Sequence, residues 1–164
     1  MAIVAKITTC LWFNKEAEDA ANFYISIFRN SGIDTVTRYG KEGFEQHRQP
    51  EGSVQTVTFR LDGHTALNGG ARFTHSPAVS FVVHCESQDE VDYFWDRLGA
   101  GGDPTWQVCG WLRDKFGVSW QIVPQALFSM IAHKDASRSG RVMKALMQMK
   151  KLDLPVLQRA YEEG

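Results

Sequence analysis

The sequence predicts an α+β fold, and two observations support this prediction. Short apolar strands and amphipathic helices follow one another in the order strand, helix, three strands, and this order occurs twice. A mostly helical segment follows the second set. Hydrophobic residues make up 43% of the 164 residues and charged residues 23%, as in an ordinary globular protein. This composition excludes a disordered chain and a fibrous repeat.

The first module covers about residues 1–72. Asn14 offers an N-cap, and apolar residues at helical spacing predict a helix over Glu16–Arg29. The polar segment Lys41–Gly52 is expected to be an exposed loop, and Asp62-Gly63 is a hairpin signal. The predicted strands are Ile3–Phe13, Ile33–Tyr39, Ser53–Leu61 and His64–Asn68.

The second module covers about residues 77–124, after the polar linker Arg72–Pro77. Ser87 and Glu90 have the spacing of a capping box, and the helix that they begin should end near Leu98, before Gly99. The predicted strands are Ala78–Cys85, Pro104–Cys109, Gly110–Asp114 and Val118–Val123.

The two modules form an internal repeat. A shift of 71 residues places Ala20 on Val91 and Tyr24 on Trp95. A single sheet cannot bury its apolar face alone, so the two modules should pack into one domain over residues 1–124. Chance recurrence of amphipathic helices is the alternative.

Residues 125–164 form a helical tail. Asp153 and Pro155 mark the start of its last helix. We expect the tail to pack across the sheet or onto a second subunit. Its predicted helices are Gln125–His133, the Met-rich Ser139–Lys151 and Leu154–Glu162.

The charge balance and the cysteine count limit the possible partners and the compartment. The net charge of −1 gives no field for nucleic acid or an anionic membrane, and no apolar run reaches the roughly 20 residues of a membrane span. The N-terminus lacks the pattern of a signal peptide. Three widely spaced cysteines fit the reducing cytoplasm better than a disulfide framework. We therefore expect a cytoplasmic protein that binds neither nucleic acid nor membrane.

Three stretches carry a resemblance to a known family. They are LWFNKEAEDAANFYISIF (Leu11 to Phe28), AVSFVVHCESQDEVDYFWDRL (Ala78 to Leu98) and CGWLRDKFGVSWQIVP (Cys109 to Pro124). The chain resembles the vicinal oxygen chelate superfamily of glyoxalase I, bleomycin-resistance proteins and extradiol dioxygenases. Within it, the chain is similar to the PhnB-like branch, whose members often carry the label demethylubiquinone 3-methyltransferase. The tail from Arg141 to Gly164 also fits this branch. The resemblance implies two βαβββ modules that form a cupped sheet, usually completed by a homodimer.

The same resemblance implies four inward-pointing positions, which hold a divalent metal in the metal-dependent members. They fall on Thr9, on Ser80, on Gln121, and on either Leu67 or Asn68. None of these residues is His, Asp or Glu, the ligands that such a metal needs. We therefore predict no catalytic metal and no other cofactor. The polar side chains should instead hydrogen-bond a small molecule in the cup.

Several other residues are candidates for the wall of this site. His84 ends an apolar strand, where it could point into the cup or be structural. Trp106, Trp111 and Trp120 could each be a cavity wall or core. Gly99-Ala100-Gly101-Gly102 follows a helix and precedes a strand, the reverse of a nucleotide-binding loop. The cysteines are expected to be buried and unreactive, and no catalytic residue can be named.

Three functions remain open at the level of the sequence. The first is a PhnB-like protein that binds a small, partly aromatic or hydrophobic molecule without a metal. The second is an enzyme, either a methyltransferase, as the family label suggests, or a metal-dependent lyase or dioxygenase. The third is a dimeric interaction module whose cup is merely core.

Overall fold

The computed structural model describes residues 7–62, 64–70 and 74–163, and residues 64–70 by their backbone alone. Within these residues the fold is α+β with a helical C-terminal segment, as the sequence predicts. It contains two sheets and six α-helices, one helix more than predicted. The chain divides into two compact units, one that ends at Thr74 and one that begins at His75. None of the helices in the described ranges is long and apolar enough to cross a membrane.

The first unit contains a four-stranded sheet. Its strands are Thr9–Phe13 (β1), Gly32–Arg38 (β2), Val54–Leu61 (β3) and His64–Gly70 (β4). The strand order is β1-β4-β3-β2, with β1 parallel to β4 and the other pairs antiparallel. The parallel pair is possible because helix α1, Ala17–Ile25, provides the crossover between the first strand and the rest of the sheet.

One face of this sheet packs against α1. Ala20, Ala21 and Tyr24 are fully buried on the helix, and the Tyr24 ring stacks on Phe59 of β3 with 6.3 Å between ring centroids. Leu11 and Phe13 of β1 are also buried. The apolar face predicted for the helix is therefore confirmed.

The second unit contains a three-stranded sheet. Its strands are Ser80–Cys85 (β5), Trp111–Arg113 (β6) and Ser119–Pro124 (β7), in the order β5-β7-β6. The strand β5 runs parallel to β7, and β6 runs antiparallel to it. The helix of this sheet is α3, which spans Gln88–Gly99. The one-turn helix α2, Phe44–His47, belongs to the first unit.

The predicted cap at the start of α3 is confirmed for Ser87, whereas the return bond to Glu90 comes from Glu86, one residue before the N-cap. The Ser87 hydroxyl accepts a hydrogen bond from the Glu90 backbone N–H at 3.3 Å. The Glu90 carboxylate accepts one from the Glu86 N–H at 2.7 Å. Val91, Trp95 and Leu98 are the residues that α3 buries.

The C-terminal segment of the second unit forms three helices, α4 (Gln125–Ile131), α5 (Ala136–Leu146) and α6 (Leu154–Glu162). They enclose an apolar cluster that also contains a residue from the end of β7. Its buried members are Val123, Leu127, Met130, Val142, Leu152 and Leu157.

Backbone and side-chain hydrogen bonds tie this segment to the rest of its unit. Gln88 of α3 donates to the Leu152 carbonyl at 3.1 Å and accepts from the Leu154 N–H at 2.7 Å. Gly110 donates to the Lys150 carbonyl at 2.7 Å. Its φ of 84° favours glycine, and a Cβ there would lie tightly against the Leu152 side chain and the Ile122 carbonyl oxygen. The tail is thus hydrogen-bonded to α3 and to the segment that precedes β6.

Four local predictions are wrong. Pro104–Trp106 forms a 3₁₀ helix instead of a strand, because Asp103 caps it by accepting from the Thr105 N–H at 2.9 Å. The predicted loop Lys41–Gly52 contains α2. Asn14 does not cap α1, which begins at Ala17 without a side-chain cap. Helix α5 begins earlier than Ser139, because Asp135 caps it.

Candidate functional site

The strands of the second unit sort their side chains onto two faces. Successive residues of a strand point to opposite faces, and directly paired residues share a face. The face that is covered by α3 carries Phe81, Val83, Cys85, Leu112, Trp120 and Ile122. The opposite face, called the open face below, carries Ser80, Val82, His84, Trp111, Arg113, Ser119, Gln121 and Val123. Four of the sequence-predicted candidates therefore share the open face, namely Ser80, His84, Trp111 and Gln121.

A cavity of about 290 Å³ lies against this open face. Four of its lining residues carry an aromatic ring or a polar group, and they are Trp106, Trp111, Arg113 and Ser119. The remaining three lining residues are apolar. The volume lies near the lower end of the range for small-molecule sites, and the mixture of aromatic wall and few polar groups is typical of them.

Arg113 is held firmly at the cavity wall. Its Nε donates to the Gly117 carbonyl at 2.9 Å, and its Nη2 donates to the His75 carbonyl at 3.0 Å. The guanidinium carbon lies 5.0 Å from the centroid of the Trp106 ring, within the range of a cation–π contact. These three contacts fix the position of a positive charge at the cavity.

Ser80 and Gln121 form a polar pair on the open face. Gln121 Nε2 donates to Ser80 Oγ at 2.9 Å, and both side chains are part-buried. Gln121 is also the direct register partner of Trp111, a cavity-lining residue. The two candidates are thus brought together, and they bond to each other in the absence of any ligand.

His84 lies further along the open face and is exposed. Its ring centroid lies 5.4 Å from that of Phe128, which is 44% exposed on α4. The two rings extend the open face with a partly apolar surface. His84 does not line the cavity.

Trp120 lies in the core, away from the cavity wall. It is 2% exposed on the α3-covered face, and its Nε1 donates to Asp114 Oδ2 at 2.8 Å. Strand alternation puts it on the face opposite Ser119 and Gln121. Of the three tryptophans left open by the sequence, Trp106 and Trp111 line the cavity and Trp120 does not.

The candidates of the first unit are placed differently. Thr9 shares the face of Leu11 and Phe13, which are buried and packed on the helix side. Strand β1 ends at Phe13 and strand β5 ends at Cys85, so the two strand ends are 72 residues apart. The helices of the two modules are related by a shift of 71 residues, which is one fewer. A slip of one residue exchanges the two faces of a strand. Thr9 is therefore not placed as Ser80 is.

The other candidate of the first unit, Asn68, lies in β4. Its backbone is the register partner of Leu11 in β1 and of Val57 in β3. The side chains of Asn68 and of the alternative Leu67 lie outside the described part of the structure.

The residues at the implied metal positions do not fit a divalent ion. The described candidates supply hydroxyls and one amide, none of them charged, and the Gln121 amide already bonds Ser80. Across the described ranges, no three His, Cys, Asp or Glu side chains come together as a metal site would need.

The glycine-rich connection after α3 does not fit a nucleotide-like cofactor. A Cβ at Gly102 would overlap the carbonyl oxygen of Arg113, so this glycine is required by close packing on β6. The connection leads from the end of α3 to a three-residue 3₁₀ helix, not to the N-terminus of an α-helix as a phosphate-binding loop requires.

Sequence reasoning missed the role of Asp114, which is 3% exposed and shapes the turn between β6 and β7. Its Oδ1 accepts from the backbone N–H groups of Phe116 and Val118, at 2.9 and 3.0 Å. Gly117 closes the turn by donating to the Asp114 carbonyl at 3.0 Å. An aspartate three residues before a glycine was the signal that could have indicated it.

Burial changes the pKa of two titratable groups in this unit. It lowers the pKa of His75, against a smaller raising effect of Asp114 and alongside a smaller lowering effect of Arg113. Burial, with the negative charge of Glu90, raises the pKa of the Cys85 thiol to about 12. Cys85 is therefore buried and unreactive, as expected. The expectation of burial is wrong for the other two cysteines, because Cys10 is exposed and Cys109 is part-buried.

Comparisons with known proteins identify a family and its fold. The model of the family 3-demethylubiquinone-9 3-methyltransferase matches residues 5–123. The solved structure of a putative 3-demethylubiquinone-9 3-methyltransferase, a PhnB protein from Bacillus cereus, is 36% identical with a TM-score of 0.62. The match covers 73% of this chain and 99% of that chain. No protein of curated function matches.

Two more distant structures share the fold. One is PA1353 from Pseudomonas aeruginosa, at 16% identity and a TM-score of 0.55, covering 74% of this chain and 98% of that one. The other is the fosfomycin resistance protein FosX from Listeria monocytogenes, at 15% identity and a TM-score of 0.53. That match covers 80% of this chain and 99% of the other.

Proposed function

Because the chain belongs to the 3-demethylubiquinone-9 3-methyltransferase family, in the PhnB-like branch of the vicinal oxygen chelate superfamily, we propose that it binds a small, partly aromatic molecule without a catalytic metal. The observation that carries this proposal is the cavity on the open face, with its two tryptophans and its few polar groups. Aromatic walls supply apolar contact area, and the polar groups orient the ligand.

The Ser80–Gln121 pair contributes hydrogen-bonding capacity beside the cavity. In the free protein the pair satisfies itself, so neither group carries the cost of an unpaired buried polar atom. A ligand with a carbonyl or hydroxyl group can share or replace this bond. The polar positions inferred from the superfamily would then bind an organic oxygen in place of a metal ion.

Binding can be tested with benzamide, a neutral single-ring probe, through the fluorescence of Trp106 and Trp111. We expect saturable quenching in the native protein. In Gln121→Leu we expect binding to weaken about fivefold or more while the thermal midpoint changes little, because one neutral hydrogen bond contributes about 1 kcal/mol. Gln55→Leu, an exposed change on β3, is the matched control and should bind as the native protein does.

The result for Gln121→Leu separates a binding role from a structural one. A loss of stability with unchanged benzamide affinity would mean that Gln121 only supports the sheet. Absence of any saturable quenching, together with no co-purifying organic molecule by mass spectrometry, would contradict the proposed function. Metal analysis of the same sample should find less than one equivalent of Zn, Fe, Mn or Ni.

The family description keeps a methyltransferase as the second candidate, since the family model matches most of the chain. Calorimetric titration with S-adenosylmethionine distinguishes the two, because a methyltransferase must bind its methyl donor. We expect no binding. Saturable binding would favour the enzyme, and a protein that binds neither probe would be an interaction module.

The chain is further proposed to act as a homodimer in the cytoplasm. Both sheets end in strands that pair on one side only, and such edges are commonly covered by a partner. The three cysteines are free in the described structure, which suits a reducing compartment.

A further inference from the structure

We propose that Arg113 and Ser119 form an anion subsite in the cavity, and that the ligand is a small organic acid. Its carboxylate would lie at these two residues, and its flat apolar body would lie against Trp106 and Trp111. This inference rests on the proposed function and adds to it the chemical class of the ligand.

Arg113 is the first reason. Among the described residues that line the cavity, it is the one that carries a charge. Its Nε and Nη2 atoms are fixed by two backbone carbonyls, while its Nη1 group makes no hydrogen bond to the described residues. No acidic side chain in the described ranges forms an ion pair with it. A guanidinium that is already held in place binds a carboxylate at a small entropic cost.

Ser119 is the second and independent reason. It is 3% exposed, and its hydroxyl makes no hydrogen bond to any residue that the structure describes. It lines the cavity and is the direct register partner of Arg113. Its Oγ is not among the fully enclosed polar atoms that lack a partner, so the hydroxyl is accessible from the cavity. A ligand oxygen in the cavity would supply the missing partner.

The neighbouring acids do not occupy this subsite. The Asp114 carboxylate is committed to two backbone N–H groups and to Trp120 on the other face of the sheet. The Asp103 carboxylate is exposed and accepts two hydrogen bonds from Thr105. Both hydrogen bonds to Asp103 go to its Oδ1 atom. The pKa of Asp103 is lowered by these bonds from Thr105 and, to a smaller extent, by the charge of Arg113, so this carboxylate lies near the guanidinium. It forms no ion pair with Arg113 in the described ranges, and the Nη1 group has no hydrogen-bond partner there.

The shape of the site favours a planar acid with one ring. The guanidinium presents a flat fork that matches a carboxylate, and indole rings stack on flat apolar groups. A cavity near 290 Å³ has room for a small ligand only. Benzoate and benzamide therefore form a suitable pair of probes, because they differ in charge and have nearly the same shape.

The test compares the affinities of benzoate and benzamide by calorimetry in four proteins. In the native protein we expect benzoate to bind about tenfold more tightly or better, since hydrogen bonds to a charged group are stronger. Arg113→Met should abolish this preference and leave benzamide binding in place. Arg97→Met removes another arginine that lies over an aromatic ring, at 5.5 Å from Tyr93, and should preserve the preference.

Ser119→Ala guards against a folding defect, because Arg113→Met also breaks two hydrogen bonds to the backbone. Removal of an unpaired hydroxyl should leave the free energy of unfolding unchanged or raise it, while benzoate binding weakens severalfold. A stability loss with unchanged benzoate affinity would overturn the role of Ser119.

The outcomes separate this inference from the proposed function. Equal affinity of the native protein for benzoate and benzamide would overturn the anion subsite and leave the cavity as a neutral binding site. Retention of the preference in Arg113→Met would overturn the assignment of the anion subsite to Arg113. Failure of both probes to bind at millimolar concentration would contradict the proposed function itself. If phenylphosphonate binds more tightly than benzoate, the anion that the subsite prefers is tetrahedral, and the assignment of a carboxylate is overturned.

Discussion

Asp114 is the residue on which the geometry of the second sheet depends most directly. Its buried carboxylate receives three N–H groups, from Phe116, Val118 and the Trp120 indole. These bonds fix the turn between β6 and β7 and anchor the largest buried side chain. This β6–β7 turn sets the strand register that places Arg113 opposite Ser119. A structural carboxylate thus positions the candidate anion site without taking part in it.

Replacement of Asp114 by Asn should therefore lower the stability strongly. The amide keeps the volume but has a single acceptor oxygen for three donors, and its NH₂ group would face an N–H group. We expect a loss of about 2–4 kcal/mol in the free energy of unfolding, measured by urea denaturation. Asp96→Asn, an exposed change on α3, is the matched control. A loss below about 0.5 kcal/mol at Asp114 would show that the network contributes little.

The site residues were only partly predictable from the sequence, for identifiable reasons. Ser80 and Gln121, two of the four positions that the resemblance implies, lie within hydrogen-bond distance of one another. Thr9 was placed by a shift that holds for the helices and is off by one in the strands. Because a strand alternates its faces, an error of one residue matters there more than in a helix. Arg113 and Ser119 could not be predicted as site residues, because the strand register that pairs them is not evident in the sequence.

At the scale of elements, strong local signals predicted the structure well and weak ones did not. The α1 and α3 helices follow apolar spacing, and α6 begins where Asp153 and Pro155 indicate. The strand predicted over Pro104–Cys109 is wrong at its start, because the Asp103 cap makes Pro104–Trp106 a 3₁₀ helix. The start of α5 was missed because its Asp135 cap precedes a polar first turn. Capping residues therefore show where a helix begins, which apolar periodicity alone does not.

The C-terminal helices are held to their unit by a shared apolar cluster. Leu157 of α6 is fully buried in it, together with Val142 of α5 and Leu127 of α4. Leu157→Ala should cost about 3 kcal/mol in the free energy of unfolding, because the change leaves a cavity among packed helices. Leu154→Ala, at a partly buried position of the same helix, should cost clearly less. Equal losses in the two variants would contradict the assignment of Leu157 to the centre of the cluster.

At the scale of the whole molecule, His75 should make the stability depend on pH. Burial lowers its pKa in the folded state below the ordinary value of about 6.5, with Asp114 opposing and Arg113 adding to the shift. The unfolded chain then binds the proton more tightly. Stability from His75 is fully present above about pH 6.5 and declines as the pH falls below it.

The His75→Gln variant tests this dependence, since glutamine does not titrate. Urea midpoints measured between about pH 7.5 and pH 5 should fall less steeply for the variant than for the native protein. His47→Gln, which changes a histidine of the first unit, is the matched control and should follow the native profile. Identical slopes for the His75 variant and the native protein would remove His75 as the cause.

The last prediction concerns assembly. The four-stranded sheet ends in β1 and β2, the three-stranded sheet ends in β5 and β6, and unpaired strand edges favour association. A twofold dimer is also the commonest assembly of soluble proteins. Light scattering at micromolar concentration should therefore give twice the 18.5 kDa of one chain. The same measurement with benzoate present shows whether the ligand and the dimer are coupled. A mass of 18.5 kDa under both conditions would show that the chain is complete as a monomer, with its cavity formed by one copy alone.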